Sequence, residues 1–395
     1  MELATQNIDG LLKDLPRFRD AAAAMQDIIL ANLVMIGEIP APTGAEDQRV
    51  QLILQRLSEC GLQNCSTDEK GNGYGVFLGE QGSRNILISA HADTFVSDAV
   101  DQTIEVGKDR LVGPFVGDNS LALAAMVSLP NLFDRLQIRL KSNLLLIATV
   151  KSLGRGNLEG LKYFLANSAM PIHAGVCLEG VQLGRLNYSC LGMFRGEIIC
   201  RLSDDYNWAQ FGATGAIIPM NDVISRINKI PLPRRPLTSI VMGSIEGGLT
   251  YHNIARQVTL RFEVRCEASD LLKQIRQQIE NIAAEVAAQS GVKMKLDIFS
   301  EREPGGIDIS HPAVESARAI ISALGLEPMM YPTTSAVAAF IDKKIPAVTL
   351  GIASGERKGE LDEIDEAVSI APIFTGMAQL AGVILAMDGG LVRES

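Results

Sequence analysis

The 395-residue sequence is short of basic residues and of long apolar runs. Its 36 lysines and arginines are outnumbered by 46 aspartates and glutamates, giving a formal net charge of −10. This balance argues against nucleic acid and anionic membranes as partners, because both attract basic surfaces. No apolar run approaches the roughly 20 residues that span a bilayer. The first residues also lack the cationic and apolar segments of a secretory signal, so we expect a cytoplasmic protein.

Paired cysteines are missing as well. The six cysteines are Cys60, Cys65, Cys177, Cys190, Cys200 and Cys266. They form no C-x-x-C motif, and several of them lie inside apolar runs. The pattern predicts buried, reduced thiols and disfavours a disulfide framework or a thiolate metal site. The remaining composition, 47% hydrophobic and 21% charged, is typical of a globular protein. A chain of this length is expected to fold as two domains.

The order of apolar segments predicts an α/β main domain. Short apolar strands are expected at 85–90, 144–150, 174–179 and 346–352, and helical patterns lie between them, as in a mostly parallel sheet covered by helices. Helix 43–61 illustrates the pattern, with Thr43 and Glu46 as a predicted capping box and Gly61 at its end. Its apolar face is formed by Val50, Ile53, Leu54 and Leu57.

Residues 192–302 have a different pattern. Segments 192–201 and 258–267 alternate apolar and polar residues, as strands with one solvated face do. With helical patterns at 213–228 and 269–289 and a last strand at 292–299, the order is strand, helix, strand, strand, helix, strand. We predict an inserted α+β, ferredoxin-like domain at 192–302, and a main domain formed by 1–191 and 303–395.

Polar side chains at the ends of the predicted parallel strands suggest a metal site. His91 ends "NILISAH", Glu179 ends "AGVCLE", and Asp118 in "GPFVGDNS" precedes a helical pattern. One imidazole and two carboxylates suit zinc or a similar divalent ion. Asp93 would orient the imidazole. The simpler alternative is that each is an ordinary satisfied polar side chain.

Several motifs, in order, resemble the co-catalytic zinc peptidases of clan MH. This family includes tripeptidase, carboxypeptidase G, aminoacylase, acetylornithine deacetylase and succinyl-diaminopimelate desuccinylase. The matching segments are "IPAPTGAED", "SAHADT", "GPFVGDNSLALAAM", "CLEGVQLGRLNYSCLGMFRGEI", "GSIEGGLTYHNIARQVTLRFEVR" and "IPAVTLG". The resemblance covers nearly the whole chain. It implies a zinc-peptidase-like main domain and an inserted lid that serves as the dimerisation domain, and therefore a homodimer.

The same resemblance assigns roles to individual residues. Asp118 corresponds to an aspartate that bridges two metals, and His91 and Glu179 correspond to the other ligands of one of them. That half of the site is complete. Asn253 and Arg265 correspond to substrate-binding residues of the lid.

The second half of the family's site is absent from the sequence. In "ATVKSLGRGNLEG", Ser152 stands where the family has its general base, and Leu153 where it has a ligand of the second metal. A shift by one residue offers Lys151 and Ser152 instead. Gly359, four residues before Glu363, replaces a C-terminal histidine.

Other family positions differ too. Tyr206 replaces a lid histidine, although His252 lies elsewhere in the lid segment, and Ala336 and Ala338 replace an aspartate and an asparagine. Two-metal occupancy is therefore not expected, and the site would hold one zinc or other divalent ion. A lysine, Lys358 first and Lys151 second, could take the place of the missing cation, unless both are solvated surface residues.

Three possibilities remain open for the function. The first is a degraded, non-hydrolytic or very weak relative that binds one metal, since the general base alone is worth roughly 10²–10⁴ in rate. The second is an active mononuclear hydrolase, an aminopeptidase or dipeptidase or an N-acyl amino acid deacylase, with Glu360, Asp362 or Asp93 as base. Its substrate would be a small peptide or an N-acyl amino acid. Unrelated chemistry on the same fold is a third possibility.

Overall fold

The computed structural model describes residues 2–203, 215–357 and 365–391. The chain divides into two compact units, Met1–Ser189 with Gly306–Ser395, and Cys190–Gly305. Apolar runs of β-branched and leucine residues form the central strands of the first unit. These strands are buried on both faces, as the burial of every residue of Asn143–Thr149 shows.

A seven-stranded sheet forms the centre of the first unit, with strand order β1-β2-β6-β3-β7-β15-β8. β3 is parallel to β6 and β7, and β15 is parallel to β7, whereas β1, β2 and β8 are antiparallel to their neighbours. The strands are β1 Gln63–Thr67, β2 Gly73–Phe77, β3 Asn85–His91, β6 Asn143–Thr149, β7 Ala174–Val181, β8 Leu186–Asn187 and β15 Ala347–Ala353. The four predicted strands are all present, which confirms the α/β prediction.

A second, four-stranded sheet of the first unit has the order β16-β17-β5-β4. It is formed by β4 Glu105–Val106, β5 Arg110–Pro114, β16 Gly355–Arg357 and β17 Asp365–Ser369. β5 leads directly into an irregular helical turn, Val116–Ser120. β9 Ser189–Cys190 and β14 Gly305–Gly306 form a two-stranded sheet.

Helices of the first unit pack their apolar residues into one large core that includes Phe18, Leu33 and Phe133. A short 3-10 turn, Gly154–Gly156, precedes α5. The helices are α1 Glu2–Ala23, α2 Gln26–Gly37, α3 Asp47–Glu59, α4 Leu121–Leu136, α5 Glu159–Asn167, α8 Pro312–Ala323, α9 Val337–Asp342 and α10 Ile370–Ala386.

The predicted helix 43–61 is only partly correct. Val50, Ile53 and Leu57 are buried on one face of α3, as expected. The predicted capping box is wrong, because the N-cap of α3 is Glu46 and no side chain caps the helix. Thr43 instead donates a hydrogen bond to Asp93, and Glu46 accepts from the amide of Gly44.

The sequence expectation about apolar runs was also too strict. Ile370–Gly389, which contains α10, is long and apolar enough to cross a membrane by length and composition. Of its most apolar window, 72% is buried inside the protein. A helix buried to this extent belongs to the core of the protein, and α10 packs on β15, α1 and α8.

The second unit contains a four-stranded antiparallel sheet in the order β11-β12-β10-β13. Phe194, Phe262 and Ile275 belong to its own buried core. Along the chain its elements are β10 Gly192–Arg201, α6 Ile217–Ile227, β11 Thr238–Gly247, β12 Gln257–Cys266, α7 Ser269–Ser290 and β13 Lys293–Arg302. This is the predicted order of strands and helices, in a sheet separate from that of the first unit.

Candidate metal site

Three side chains meet at one edge of the seven-stranded sheet. His91 ends β3, Glu179 lies near the end of β7, and Asp118 lies in the turn before α4. One ligand atom from each of the three lies within 4.8 Å of the others. Because β3 and β7 are parallel neighbours, their carboxyl ends open on the same side. Among the described residues, this is the group with the spacing of a metal site.

The imidazole of His91 is positioned by the main chain of Asp93 and by the carboxylate of Asp118. Its Nδ1 lies 2.9 Å from the backbone oxygen of Asp93, and its Nε2 lies 3.1 Å from Oδ1 of Asp118. The Asp93 carboxylate, predicted to orient this ring, is 3.6 Å from Nδ1, so the hydrogen bond is made by the main chain of Asp93. A proton on Nδ1 leaves Nε2 free to bind a metal.

Charge around His91 favours its protonated form when no ion is bound. Burial by itself lowers the pKa of His91, but the nearby carboxylates of Asp118 and Asp93 outweigh it and hold the pKa well above its ordinary value. The imidazolium and Asp118 then form an ion pair.

The carboxylate of Asp93 is fully buried and holds the loop that follows β6. Its Oδ2 accepts hydrogen bonds from the Thr43 hydroxyl at 2.9 Å and from the amides of Ser152 and Leu153 at 2.9 and 2.8 Å. Burial alone would raise the pKa of Asp93, but His91 and these donors lower it below its ordinary value. A buried carboxylate whose pKa is lowered is poorly suited to take a proton from a reacting group.

Ser152 and Leu153 therefore contribute backbone amides to the site. The Ser152 hydroxyl lies 3.2 Å from the hydroxyl of Thr149 and is buried.

Lys151, the residue before Ser152, donates its amide to Glu46 at 2.8 Å. Its ammonium acts on Glu159, whose pKa is lowered mainly by a hydrogen bond from Lys70 and further by the Lys151 charge.

Asp118 is positioned by Glu366, a residue for which the sequence had given no prediction. The buried Oε2 of Glu366 accepts hydrogen bonds from the amides of Gly117 and Asp118, at 2.8 and 2.9 Å. Glu366 lies in β17, which pairs with β5 just before the Asp118 turn. No local sequence pattern connects two positions that are this far apart along the chain.

Asn119 ties the Asp118 turn to the strand that carries Glu179. Its buried amide group donates to the oxygen of Leu178 at 3.0 Å and accepts from the amide of Gly180 at 2.9 Å. A side chain at Gly180 would overlap with the backbone oxygen of Gly117, so glycine is required for this close approach. Asp118 and Glu179 are thus held at a fixed separation by the hydrogen bonds between the Asn119 side chain and the main chain of β7.

Arg185 is the basic side chain that the structure places beside a predicted ligand. Its Nη1 lies 3.7 Å from Oε2 of Glu179, and both side chains line a cavity of about 300 Å³. Burial raises the pKa of Glu179, and the charge of Asp118 adds to the rise, whereas His91 and Arg185 oppose it. The sequence had pointed to lysines as the nearby cations, and the only available signal for Arg185 was the turn "QLGR" after β7.

The donor set fits a divalent ion. A neutral imidazole nitrogen and two carboxylates are typical zinc ligands, and three protein ligands leave a position for a further ligand. The partly buried carboxylates of Asp118 and Glu179 also bring two negative charges together, which favours a cation at this position. His91, Asp118 and Glu179 would hold the ion, with Glu366, Asn119 and the main chain of Asp93 fixing their positions.

The remaining predicted site residues belong to other parts of the chain. Asn253 lies in the second unit, where it lines a cavity of about 720 Å³ with His252. Arg265 lies in β12 of the same unit and donates to Glu263. Ala336 precedes α9 and Ala338 is buried within it. Several predicted residues lie outside the described ranges: Tyr206, Lys358, Gly359, Glu360, Asp362 and Glu363.

The fold is shared with solved structures of metallopeptidases. A tripeptidase from Staphylococcus aureus superposes with a TM-score of 0.73 at 19% identity, covering 92% of this chain and 99% of the other. The di-peptidase Dug1p from Saccharomyces cerevisiae gives a TM-score of 0.77 at 13% identity, over 95% and 99% of the two chains.

A third structure, a dinuclear metal-binding peptidase of the M20 family from Bacillus subtilis, gives a TM-score of 0.62 at 15% identity, over 92% and 99%. No protein-family model and no curated protein matches the sequence. The predicted zinc-peptidase-like fold is confirmed, and at these identities the likeness concerns the fold alone.

Proposed function

We propose that this chain binds one divalent metal ion through His91, Asp118 and Glu179 and has little or no peptidase activity. The observation that carries the proposal is the approach of the three ligand atoms to within 4.8 Å of one another. A divalent ion bound there supplies Lewis-acid polarisation of an oxygen-containing ligand.

The residues around the ligands support a binding role. Four hydrogen bonds fix the Asp118 and Glu179 segments in place, so the site is formed before an ion arrives. A preformed site of this kind binds an ion with a smaller loss of conformational entropy, because its ligands are already ordered. His91 presents Nε2 because its Nδ1 is occupied by the Asp93 carbonyl.

The loop after β6 argues against efficient hydrolysis. In the family that the sequence resembles, this loop supplies a general base and a ligand of the second metal, and here the corresponding residues are Ser152 and Leu153. Their amides are bound to Asp93, and the Ser152 hydroxyl is bound to Thr149. Without a carboxylate at this position, the general-base contribution of roughly 10²–10⁴ in rate is lost.

A second candidate, an active metal-dependent hydrolase of small peptides or N-acyl amino acids, is favoured by one observation. The resemblance places the C-terminal ligand four residues before a glutamate, and Glu366 is a glutamate that contacts the Asp118 turn. Four residues before Glu366 stands Asp362. If the ligand position is counted from Glu366, it carries a carboxylate, whereas the count from Glu363 gave Gly359.

Metal titration distinguishes the two candidates. Protein stripped with a chelator and titrated calorimetrically with Zn²⁺, Mn²⁺ or Co²⁺ is expected to bind one ion per chain. His91→Ala is expected to weaken binding at least 100-fold. His311→Asn is the matched control, because it removes a histidine that caps α8 and retains a capping side chain.

The same preparations should be assayed with dipeptides, tripeptides and N-acetyl amino acids. No turnover is expected. Turnover that disappears in His91→Ala would instead establish the hydrolase, and two bound ions per chain would contradict the one-metal site.

We also propose a homodimer formed through the second unit. β11 is an edge strand of its sheet, with Val241 43% and Ile245 55% exposed. An exposed edge strand with apolar side chains is a template for pairing with a strand of another chain.

Six free thiols, four of them buried, agree with a cytoplasmic location.

A further inference from the structure

A guanidinium group lines the cavity that is also lined by two of the three candidate metal ligands, Asp118 and Glu179. Arg185 Nη1 is 3.7 Å from Glu179 Oε2, and the two side chains are 15% and 17% exposed. Asp118 and Gln182 line the same cavity of about 300 Å³. One positive charge of the protein is therefore already placed beside a carboxylate that a metal ion would use.

Arg185 is held in this position from several sides. Its Nε donates to Oε1 of Gln182 at 2.9 Å, and the Tyr331 hydroxyl donates to the same oxygen. The amide of Arg185 closes a turn on the Gln182 carbonyl at 2.9 Å, and the next residue, Leu186, donates to Met329 at 3.0 Å. These contacts fix both ends of the side chain, so the guanidinium stays beside Glu179.

We infer that Arg185 is a built-in counter-ion of Glu179 that competes with the divalent ion for this carboxylate and lowers the affinity of the site. The inference rests on the proposed metal site. Before an ion binds, Arg185 compensates the charge of Glu179. Once an ion is bound, the fixed guanidinium and the ion repel each other across a partly buried cavity, where water screens charges weakly.

The test compares metal affinity in four proteins: the wild type, Arg185→Gln, Arg185→Lys and Arg135→Gln. Arg135 is an exposed residue in the last turn of α4, so its replacement removes the same charge elsewhere on the first unit. Chelator-stripped protein is titrated with Zn²⁺ and, separately, with Mn²⁺. We expect Arg185→Gln to bind each ion about tenfold more tightly than the wild type, as loss of a partly buried charge interaction predicts. Arg185→Lys and Arg135→Gln should remain within about threefold of the wild type.

Thermal melting gives a second readout that does not depend on activity. Without metal, Arg185→Gln should melt below the wild type and Arg135→Gln, because Glu179 has lost its counter-ion. The stabilisation on adding metal should be larger for Arg185→Gln, since a ligand stabilises in proportion to the logarithm of its concentration over Kd.

The possible results separate the inference about Arg185 from the proposed metal site on which it rests. Equal or weaker ion binding by Arg185→Gln, with a wild type that does bind, overturns the inference and leaves the metal site intact. Binding by Arg185→Gln alone supports the inference and shows that the wild-type site is closed to ions. If neither protein binds an ion, both the inference and the proposed metal site are wrong.

Discussion

Single side chains in this protein often have roles that their type does not suggest. Arg49 is fully buried in α3, where it donates to the carbonyl oxygens of Gly37, Ile39 and Ala92. Burial lowers its pKa to about 10, and the charge of Asp93 opposes this shift. A charged residue next to Val50 would be expected at the surface from its sequence context. Its burial is set by carbonyl groups from two distant segments.

The six thiols allow a prediction at the residue scale. Cys60 and Cys65 are half-buried, whereas Cys177, Cys190, Cys200 and Cys266 are buried. Burial raises the pKa of Cys177 to about 12 and that of Cys200 to about 11, so their reactive thiolates are scarce. With a colorimetric disulfide reagent at about pH 8, the native protein should react at two thiols and the denatured protein at all six.

The control for this experiment is the double variant Cys60→Ser with Cys65→Ser. It should show no reaction in the native state and four reactive thiols in denaturant. Rapid reaction of all six thiols in the native protein would contradict the burial of the other four.

At the scale of elements, the Asp118 turn depends on a strand from the end of the chain. Replacing Glu366 with alanine leaves the amides of Gly117 and Asp118 without their buried acceptor. Hydrogen bonds to a charged group are worth about 1.5–3 kcal/mol each, and we expect Glu366→Ala to lower the free energy of unfolding by about 3 kcal/mol. Urea denaturation of the metal-free protein measures the change.

Glu356→Ala is the matched control for Glu366→Ala. Glu356 lies in β16, paired with β17, but its side chain is exposed, so the variant should stay within about 0.5 kcal/mol of the wild type. Equal stability of the two variants would show that Glu366 does not support the turn.

Most helices and strands could be predicted from the sequence because the signal for them is local. Apolar runs such as 85–90 and 144–150 need no information from elsewhere to be assigned to a buried sheet. The ligands His91 and Glu179 were found for the same reason, since each stands at the end of such a run. The capping box failed because Thr43 has a stronger partner in Asp93, which is 50 residues away.

The supporting residues of the site could not be predicted in this way. Glu366 is 248 residues from Asp118, and Arg185 faces Glu179 because of a turn and of contacts with Gln182. Such pairings depend on how strands are ordered in the two sheets. That order is set by the whole fold, and no window of sequence contains it.

At the scale of the whole molecule, the proposed homodimer can be tested by mass. The wild type should elute with twice the 42.5 kDa of the chain in size-exclusion chromatography with light scattering. Replacing Val241 and Ile245 in β11 with lysines should give a monomer, because charged side chains on an edge strand prevent pairing with a second strand.

The control substitutes Val106→Lys, an equally exposed apolar residue in β4 of the first unit. This variant should keep the mass of the wild type. A wild type with the mass of one chain would contradict the proposed dimer, and an unchanged mass of the double lysine variant would place any dimer contact elsewhere.

The contact between Glu366 and the Asp118 turn also has a consequence for biosynthesis. The Asp118 turn is synthesised first, and the carboxylate that accepts its amides lies 248 residues further along the chain. Chains emerge from the ribosome from the N-terminus, so this turn has no acceptor from β17 until the residues of that strand have been made. The proposed metal site would therefore form only after Glu366 has been synthesised, and a nascent chain that stops before β17 would carry all three ligands without the contact that positions Asp118.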